Sequence, residues 1–283
     1  MENANALRMV NERGWRMGFA NLFHEANGSW WHTRTWLIQT IIWLCMLNGM
    51  FAIFLWKPPA EAVSEKIAST DSLTPIEALQ QDQTSSALSV FWAYSSMALP
   101  IVAIIFAQDA IIGERQSGTA AWVLSKPVSR LAFILSKLVA GAIGLVVTGV
   151  VIQGAVAYTQ LSLSIGSPWS LLGFLGAMAL VSLTIMFYLT LTFMLGSLFQ
   201  SRGPVLGISL AMAVGGPVLV PMIPFLNKIT PWAFFLPITE DMPSGLALAL
   251  GQPVSSITPV VSTALLCLIF IAVTILRFQR EEF

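Results

Sequence analysis

The sequence predicts an all-α membrane protein with six transmembrane helices, and three observations lead to this fold class. Of 283 residues, 56% are hydrophobic and 10% are charged, whereas soluble domains average about 45–50% apolar and about 25% charged residues. Mean hydropathy is +0.77. Several uncharged runs are longer than 20 residues, and about 20 apolar residues form a helix that crosses a bilayer. The net charge is zero, so no overall basic field indicates a nucleic acid partner.

Residues 1–35 are predicted to form a polar N-terminus and a helix that lies in the membrane interface. An apolar face and a polar face alternate at helical spacing, as in interfacial helices. The apolar face comprises Trp15, Phe19, Leu22, Phe23 and Ala26, and the polar face Arg16, Asn21, His24 and Glu25. Asn27-Gly28 is expected to end this helix. An ordinary juxtamembrane helix and a gating helix are both compatible with the pattern. No cleavable signal peptide is expected, because no short apolar core precedes a small-residue cleavage site.

The first span is predicted at residues 36–56, where Lys57-Pro58-Pro59 ends it. Residues 57–86 follow as a polar outer loop with an acidic bias, for which a solvated cap is favoured over a cation site. Thr74-Pro75-Ile76-Glu77 combines an N-cap hydroxyl, proline at the first helical position and a capping-box glutamate. This pattern predicts a short helix over 75–83, with another near 60–68.

The second and third spans are predicted at residues 87–107 and 131–158, on either side of a polar loop at 109–130. Pro100 is expected to kink the second span. Glycines in the third span allow close approach of neighbouring helices. The segment 108–137 holds six charges in a chain that is only 10% charged, so this interval must lie in water.

The remaining chain is predicted to form three further spans. Residues 169–199 exceed the thickness of a bilayer, so this span tilts or projects, and residues 200–203 form a tight turn. The fifth span starts at Pro204 and is broken by glycine and proline near its outer end. Residues 227–258 are too polar and proline-rich to span, but they contain short apolar pieces, which favours re-entrant outer half-helices. The last span is predicted at 259–276.

The distribution of basic residues predicts the orientation. Six spans place both termini on one side, and that side collects 11 of the 14 lysines and arginines. The positive-inside rule then puts both termini and the 109–130 loop in the cytoplasm of a multi-pass cell membrane protein. The cytoplasmic set is Arg8, Arg13, Arg16, Arg34, Arg115, Lys126, Arg130, Lys137, Arg202, Arg277 and Arg280.

The sequence lacks the residues expected for ion-coupled transport, metal-dependent hydrolysis or nucleotide binding. The interiors of the spans lack charged residues, which counts against a self-powered secondary transporter or channel. No HExxH pair and no GxxxxGK[ST] phosphate loop occurs, so the chain is expected to be non-catalytic and without a metal or cofactor. Cys45 and Cys267 are expected to be buried, inert thiols. Gln39, Asn48 and Gln153 could line a path, but hydrogen bonding between helices is favoured.

The loop between the second and third spans is predicted to be a compact, rigid hairpin. Asp109 and Glu114 are placed at the start of a short helix, and Gly118-Thr119 offers a bend or a new N-cap. Residues 120–125 can form another helical turn that stops before Pro127. Ser129 can cap the third span, and Arg115 and Trp122 are expected to be available for contact. These residues alone leave open whether the hairpin is a docking element or an ordinary loop.

The motif Glu114-Arg115-x-x-Gly118-Thr119, followed by Leu124-Ser125-x-Pro127-Val128-Ser129-Arg130 and Lys137, resembles type-2 ATP-binding-cassette (ABC) exporter permeases. In that family this loop carries a coupling helix. The resemblance implies that 36–283 is a permease domain, paired with a second permease copy and seated on two ABC ATPase subunits that hold ATP and Mg²⁺. One departure is Ala120-Ala121-Trp122, where many relatives carry a bulkier aliphatic or an acidic residue. The docking residues assigned on this basis are Asp109, Glu114, Arg115, Gly118, Thr119, Trp122, Pro127 and Arg130.

Two functions follow from the resemblance. The first is the membrane subunit of an ABC exporter. The alternative is a membrane anchor or mechanotransmitter, which couples ATP hydrolysis to an extracytoplasmic protein without moving a substrate through itself. Membrane lipids are expected partners in both cases, and the outer segments 57–86 and 227–258 could serve either function.

Overall fold

The computed structural model describes residues 14–56, 75–236 and 242–280, and every regular element within these ranges is helical. Four π-helical turns, at Leu44–Asn48, Asp109–Gly113, Val147–Val151 and Ala211–Gly215, join consecutive helices. Short 3₁₀ turns occur at Gly14–Arg16 and Pro231–Phe234. The helices are α1 (Phe19–Trp31), α2 (Thr35–Trp43), α3 (Gly49–Trp56), α4 (Pro75–Gln108), α5 (Glu114–Gln116), α6 (Thr119–Leu124), α7 (Arg130–Val146), α8 (Ile152–Ile165), α9 (Leu171–Leu198), α10 (Arg202–Leu210), α11 (Gly216–Leu219), α12 (Phe225–Ile229), α13 (Ser244–Ala249) and α14 (Thr258–Gln279).

Six helical segments are long and apolar enough to cross a membrane, which confirms the predicted fold class. We number them as spans 1 to 6: Trp36–Trp56, Gln83–Gln116, Arg130–Ile165, Leu171–Leu198, Arg202–Leu219 and Thr258–Gln279. In the most apolar windows of spans 3 and 4, 56% and 50% of the residues are buried, against 22% in spans 1, 5 and 6. Spans 3 and 4 therefore form the centre of the bundle, and span 4 packs on spans 2, 5 and 6.

The predicted short helix over 75–83 is not a separate element. It continues without interruption into span 2, as the 34-residue helix Pro75–Gln108. No glycine or proline separates the two parts, so nothing in the sequence stops the helix there. Pro100 lies within this helix and does not break it. The helix predicted near 60–68 lies outside the described residues.

The predicted end of the interfacial helix at Asn27-Gly28 is wrong. Helix α1 runs through both residues to Trp31. The Asn27 side chain accepts a hydrogen bond of 3.0 Å from the Trp31 indole one turn later, so it supports the helix. Trp30 is buried against span 3, where a Cβ added at Gly144 would lie 2.3 Å from its ring. Tertiary packing thus extends the helix beyond the point where residue preferences would end it.

Polar side chains within the membrane join helices, in agreement with the favoured interpretation of the sequence. Asn48 Nδ2 donates to Gln153 Oε1 at 2.9 Å, which links span 1 to span 3. Gln153 Nε2 also donates to the Thr148 carbonyl at 3.1 Å. Asn48 lies in the π-helical turn of span 1 and Thr148 in that of span 3.

The two cysteines differ. Cys267 is buried as expected, but Cys45 is exposed. The reason is its position on span 1, where it shares a face with the exposed residues Ile38, Ile41 and Ile42 at helical spacing.

The segment between spans 5 and 6 is held by aromatic residues. Trp232 Nε1 donates to the Tyr188 hydroxyl of span 4 at 2.8 Å. The Trp232 ring fills a notch at Gly216 of span 5, where an added Cβ would lie 1.9 Å from the ring. Helix α13 packs on span 4. The two short apolar pieces predicted within 227–258 correspond to the Pro231–Phe234 turn and α13.

Candidate functional site

The loop between spans 2 and 3 begins as a continuation of span 2. The helix predicted to start at Asp109 is instead the π-helical turn Asp109–Gly113 followed by α5, with no break after Gln108. The bend comes at Gly118, whose φ of +73° is in the left-handed region that favours glycine. Helix α6 then starts at Thr119 and ends at Leu124, before Pro127, as predicted. The Ser129 hydroxyl accepts a hydrogen bond from the Ala132 backbone N–H and caps span 3.

An ion pair fixes the first part of the loop to span 3. Lys137 donates to Glu114 Oε1. The side chains are only 15% and 27% exposed, respectively. A charge-assisted hydrogen bond with little access to water is stronger than one on an open surface. It therefore ties the extension of span 2 to span 3.

Arg115 lies inward, contrary to the expectation that it would be available for contact. Its Nη1 donates to the Gly196 carbonyl of span 4 at 2.8 Å. The guanidinium carbon lies 5.5 Å from the centre of the Phe278 ring, on span 6, within the range of a cation–π interaction. Phe278 in turn stacks on Phe133 of span 3, with ring centres 5.7 Å apart. Arg115 thus joins the loop to spans 4 and 6.

The remaining charged docking residues each contact a different element. Arg202 at the start of span 5 donates to Asp109 Oδ1 at 2.9 Å. Arg130 Nη1 donates to the Gln279 carbonyl at the end of span 6, also at 2.9 Å. The backbone N–H of Ser129 donates to the Met17 carbonyl, at 3.0 Å, so the loop is also bonded to the segment before α1.

The surface of the loop that faces away from the helix bundle has few contacts with the spans. Trp122 is 63% exposed, and Lys126 Nζ lies 3.5 Å from the centre of its ring. Thr119 is exposed, and its hydroxyl contacts that of Ser117 at 2.8 Å. Pro127 and Gly118 are also exposed, whereas Ala120 is buried and anchors α6. The predicted docking residues therefore divide into four anchoring charges and an exposed surface around Trp122.

Sequence reasoning did not identify the partners of the anchoring residues. Gly196, Arg202 and Gln279 lie about 80 to 150 positions along the chain from the residues they bind. Two of the three offer backbone carbonyls, which any residue type can provide. Among the partners of the anchoring residues, only Lys137 stands out in the sequence, because it belongs to the motif that carries the resemblance. Within 14–56, 75–236 and 242–280, no group of three or more His, Cys, Asp or Glu side chains could hold a metal ion.

Comparison with known proteins identifies the family. Residues 24–283 match the family model described as ABC-2 family transporter protein. No curated protein matches the sequence significantly. The match begins within α1 and covers all six spans and the loop. The chain therefore belongs to the ABC-2 family of transporter proteins, as a multi-pass membrane permease subunit of the kind that associates with ABC ATPases.

Proposed function

We propose that this permease is the membrane subunit of an ABC exporter, driven by two separate ATPase subunits that dock on the 109–130 loop. ATP and Mg²⁺ bind in those ATPases. The observation that carries the proposal is the division of the loop: its charged residues are bonded to spans 3, 4, 5 and 6, while Trp122 and Lys126 face away from the bundle. The exporter direction is supported by the resemblance of the loop to exporter permeases.

The bonds at the base of the loop would make it a rigid transmitter. A partner that pushes on α6 displaces a loop whose charged residues, on either side of α6, are bonded to four other spans. Rigid elements that make contacts with several helices can convert a local push into a rearrangement of helix packing. A flexible loop would absorb the same displacement. The orientation that this mechanism needs, with the loop and both termini in the cytoplasm, is supported by the location of 11 of 14 basic residues on that side.

The proposed complex contains a second permease copy. The support is the large apolar surface that spans 1 and 5 leave uncovered. In span 1 it includes Ile38, Met46 and Ile53, and in span 5 Val214 and Val218, each more than half exposed. Lipid or a second copy can cover such a surface.

Co-purification with candidate ABC ATPase subunits tests the proposal. We expect a stable complex in which ATP turnover depends on both components and responds to the exported cargo. A Trp122→Ala variant should lower the yield of ATPase subunits in the complex. Trp56→Ala is the matched control, since Trp56 is also exposed, at 56%, but lies at the opposite end of span 1 from α1. Equal yields from both variants would contradict docking on the loop.

One observation favours the alternative function, in which the chain transmits force to an extracytoplasmic protein. The outer segment is fixed to the bundle by the buried hydrogen bond from Trp232 to Tyr188. Movement of span 4 would therefore be passed to the outer surface. In that case ATP hydrolysis in a reconstituted complex would respond to an outer protein partner and not to any transported molecule.

A further inference from the structure

A cleft of about 450 Å³ opens beside the base of the loop. It lies between α1, span 2, span 3 and the first residue of span 5. These are the positions at which apolar spans give way to charged residues. The cleft is therefore at the depth of lipid headgroups, whichever leaflet that is.

Four charged side chains line the cleft, two of each sign. Glu114 and Lys137 form the inner pair, and Asp109 and Arg202 the outer pair. The inner pair is largely buried, whereas the outer side chains are 65% and 48% exposed. The formal charge of this lining is zero. It offers an anion partner and a cation partner side by side, and it gives no net attraction to a purely anionic group.

The wall that faces the spans is apolar. Phe106 and Ala110 of span 2 and Ala140 and Gly141 of span 3 contribute to it. An added Cβ at Gly141 would lie 3.1 Å from the Phe106 ring, so a larger side chain at this position would crowd the Phe106 ring. Phe106 is also packed against the Trp30 ring, with ring centres 4.2 Å apart. A fixed apolar wall next to a zwitterionic lining matches an amphipathic ligand.

We propose that this cleft binds the headgroup of a membrane phospholipid that carries a primary amine, of the phosphatidylethanolamine type. The phosphodiester faces Lys137 and Arg202, and the ammonium group faces Asp109 and Glu114. The ammonium N–H groups donate to carboxylates, which a quaternary choline group cannot do. The first part of each acyl chain lies against the wall around Phe106. The lipid stabilises the junction of α1 with spans 2, 3 and 5, and its binding does not depend on ATPase docking.

Native mass spectrometry of the purified full chain tests this assignment. Delipidated protein in detergent is supplied separately with phosphatidylethanolamine, phosphatidylcholine and phosphatidylglycerol of the same acyl composition. We expect phosphatidylethanolamine to bind about tenfold more tightly than either of the others, the effect of one additional charge-assisted contact. Equal retention of the three lipids would overturn the proposal. Soluble glycerophosphoethanolamine serves as a competitor, and full displacement by it would overturn the lipid as the ligand in favour of a free zwitterion.

Variants locate the site. Arg202→Gln should reduce phosphatidylethanolamine retention about tenfold, whereas Arg280→Gln, which removes a basic residue outside the cleft, should leave it unchanged. Ala110→Leu adds bulk to the wall without altering charge and should also reduce retention. Preserved retention in both cleft variants would place the lipid elsewhere on the protein and overturn the assignment.

Discussion

The two ion pairs at the base of the loop show how environment sets the strength of one kind of contact. Glu114–Lys137 and Asp109–Arg202 both join a carboxylate on the extension of span 2 to a basic residue on another span. The first pair has side chains 27% and 15% exposed, and the second 65% and 48%. Water screens the second pair, so its electrostatic attraction is weaker. Holding its two side chains in one geometry still costs conformational entropy. The inner pair should therefore stabilise the loop more.

Double-mutant cycles measure this difference. For Glu114→Gln and Lys137→Gln we expect a coupling free energy of about 1–2 kcal/mol, between typical exposed and buried pairs. For Asp109→Asn and Arg202→Gln we expect less than about 0.5 kcal/mol. Thermal unfolding of the four variants and the two double variants in detergent gives both values. Equal coupling energies, or a larger value for the outer pair, would contradict the burial argument.

Residues whose roles are local could be predicted from the sequence, and those with distant partners could not. Gly118 and Ser129 were assigned to a bend and a cap, because a left-handed backbone and a free N–H are requirements set within a few residues. The inward position of Arg115 was missed. Its acceptor is the Gly196 carbonyl, and only the packing of span 4 brings that atom within reach. The exposure of Cys45 was missed because the packing of the spans decides which face of span 1 stays uncovered.

At the scale of elements, one neighbouring pair of glycines tests how the segment between spans 5 and 6 is fixed. Gly216 faces the Trp232 ring, while nothing lies within 4 Å of a Cβ added at Gly215. We expect Gly216→Ala to destabilise the protein by about 1–3 kcal/mol, the usual cost of overpacking. Gly215→Ala should be neutral or slightly stabilising, because alanine favours helix. Thermal unfolding compares the two variants, and similar stabilities would show that the Trp232 notch is not tightly packed.

The bend before α6 gives a second prediction for an element. In Gly118→Ala an added Cβ meets no atom within 4 Å, so the cost arises from the left-handed backbone alone, about 1 kcal/mol. We expect assembly with the ATPase to persist but the ratio of correctly to incorrectly placed α6 to fall about fivefold. Stimulation of ATP hydrolysis by the permease should fall accordingly. Gly207→Ala, in a helix and equally unobstructed, is the control, and equal stimulation in both variants would contradict the coupling role of the bend.

The errors in predicting helix ends have a common physical cause. Helix α1 passes Asn27-Gly28 because Trp30 packs into the notch at Gly144. Helix α4 runs from Pro75 into span 2, since the residues between them include no glycine or proline. Local preferences of a few tenths of a kcal/mol to about 1 kcal/mol are smaller than the energy of burying a large side chain. Local signals therefore located the start at Pro75 and the cap at Ser129 but not the end of α1.

For the whole molecule, hydropathy and charge were sufficient to predict six spans, because the bilayer imposes both length and composition on them. They did not show which spans lie at the centre. Span 4, with its uniformly apolar surface, was expected to tilt or project, and it proves to be the helix on which spans 2, 5 and 6 pack. Every face of a buried membrane helix can be apolar, so the sequence of span 4 does not indicate which of its faces packs on which neighbouring span.

Site-directed cross-linking in the assembled complex tests whether the ATPase subunits dock on the loop. In a Cys45→Ser and Cys267→Ser background, Trp122→Cys places a single thiol on the exposed surface of α6, and Trp56→Cys places one at the other end of span 1. Both variants are treated with a short amine- and thiol-reactive cross-linker in the presence of the ATPase subunits. Docking of the ATPase on the loop predicts a permease–ATPase product from position 122 and none from position 56. A product from position 56 only, or from neither position in an intact complex, would contradict docking of the ATPase on the loop.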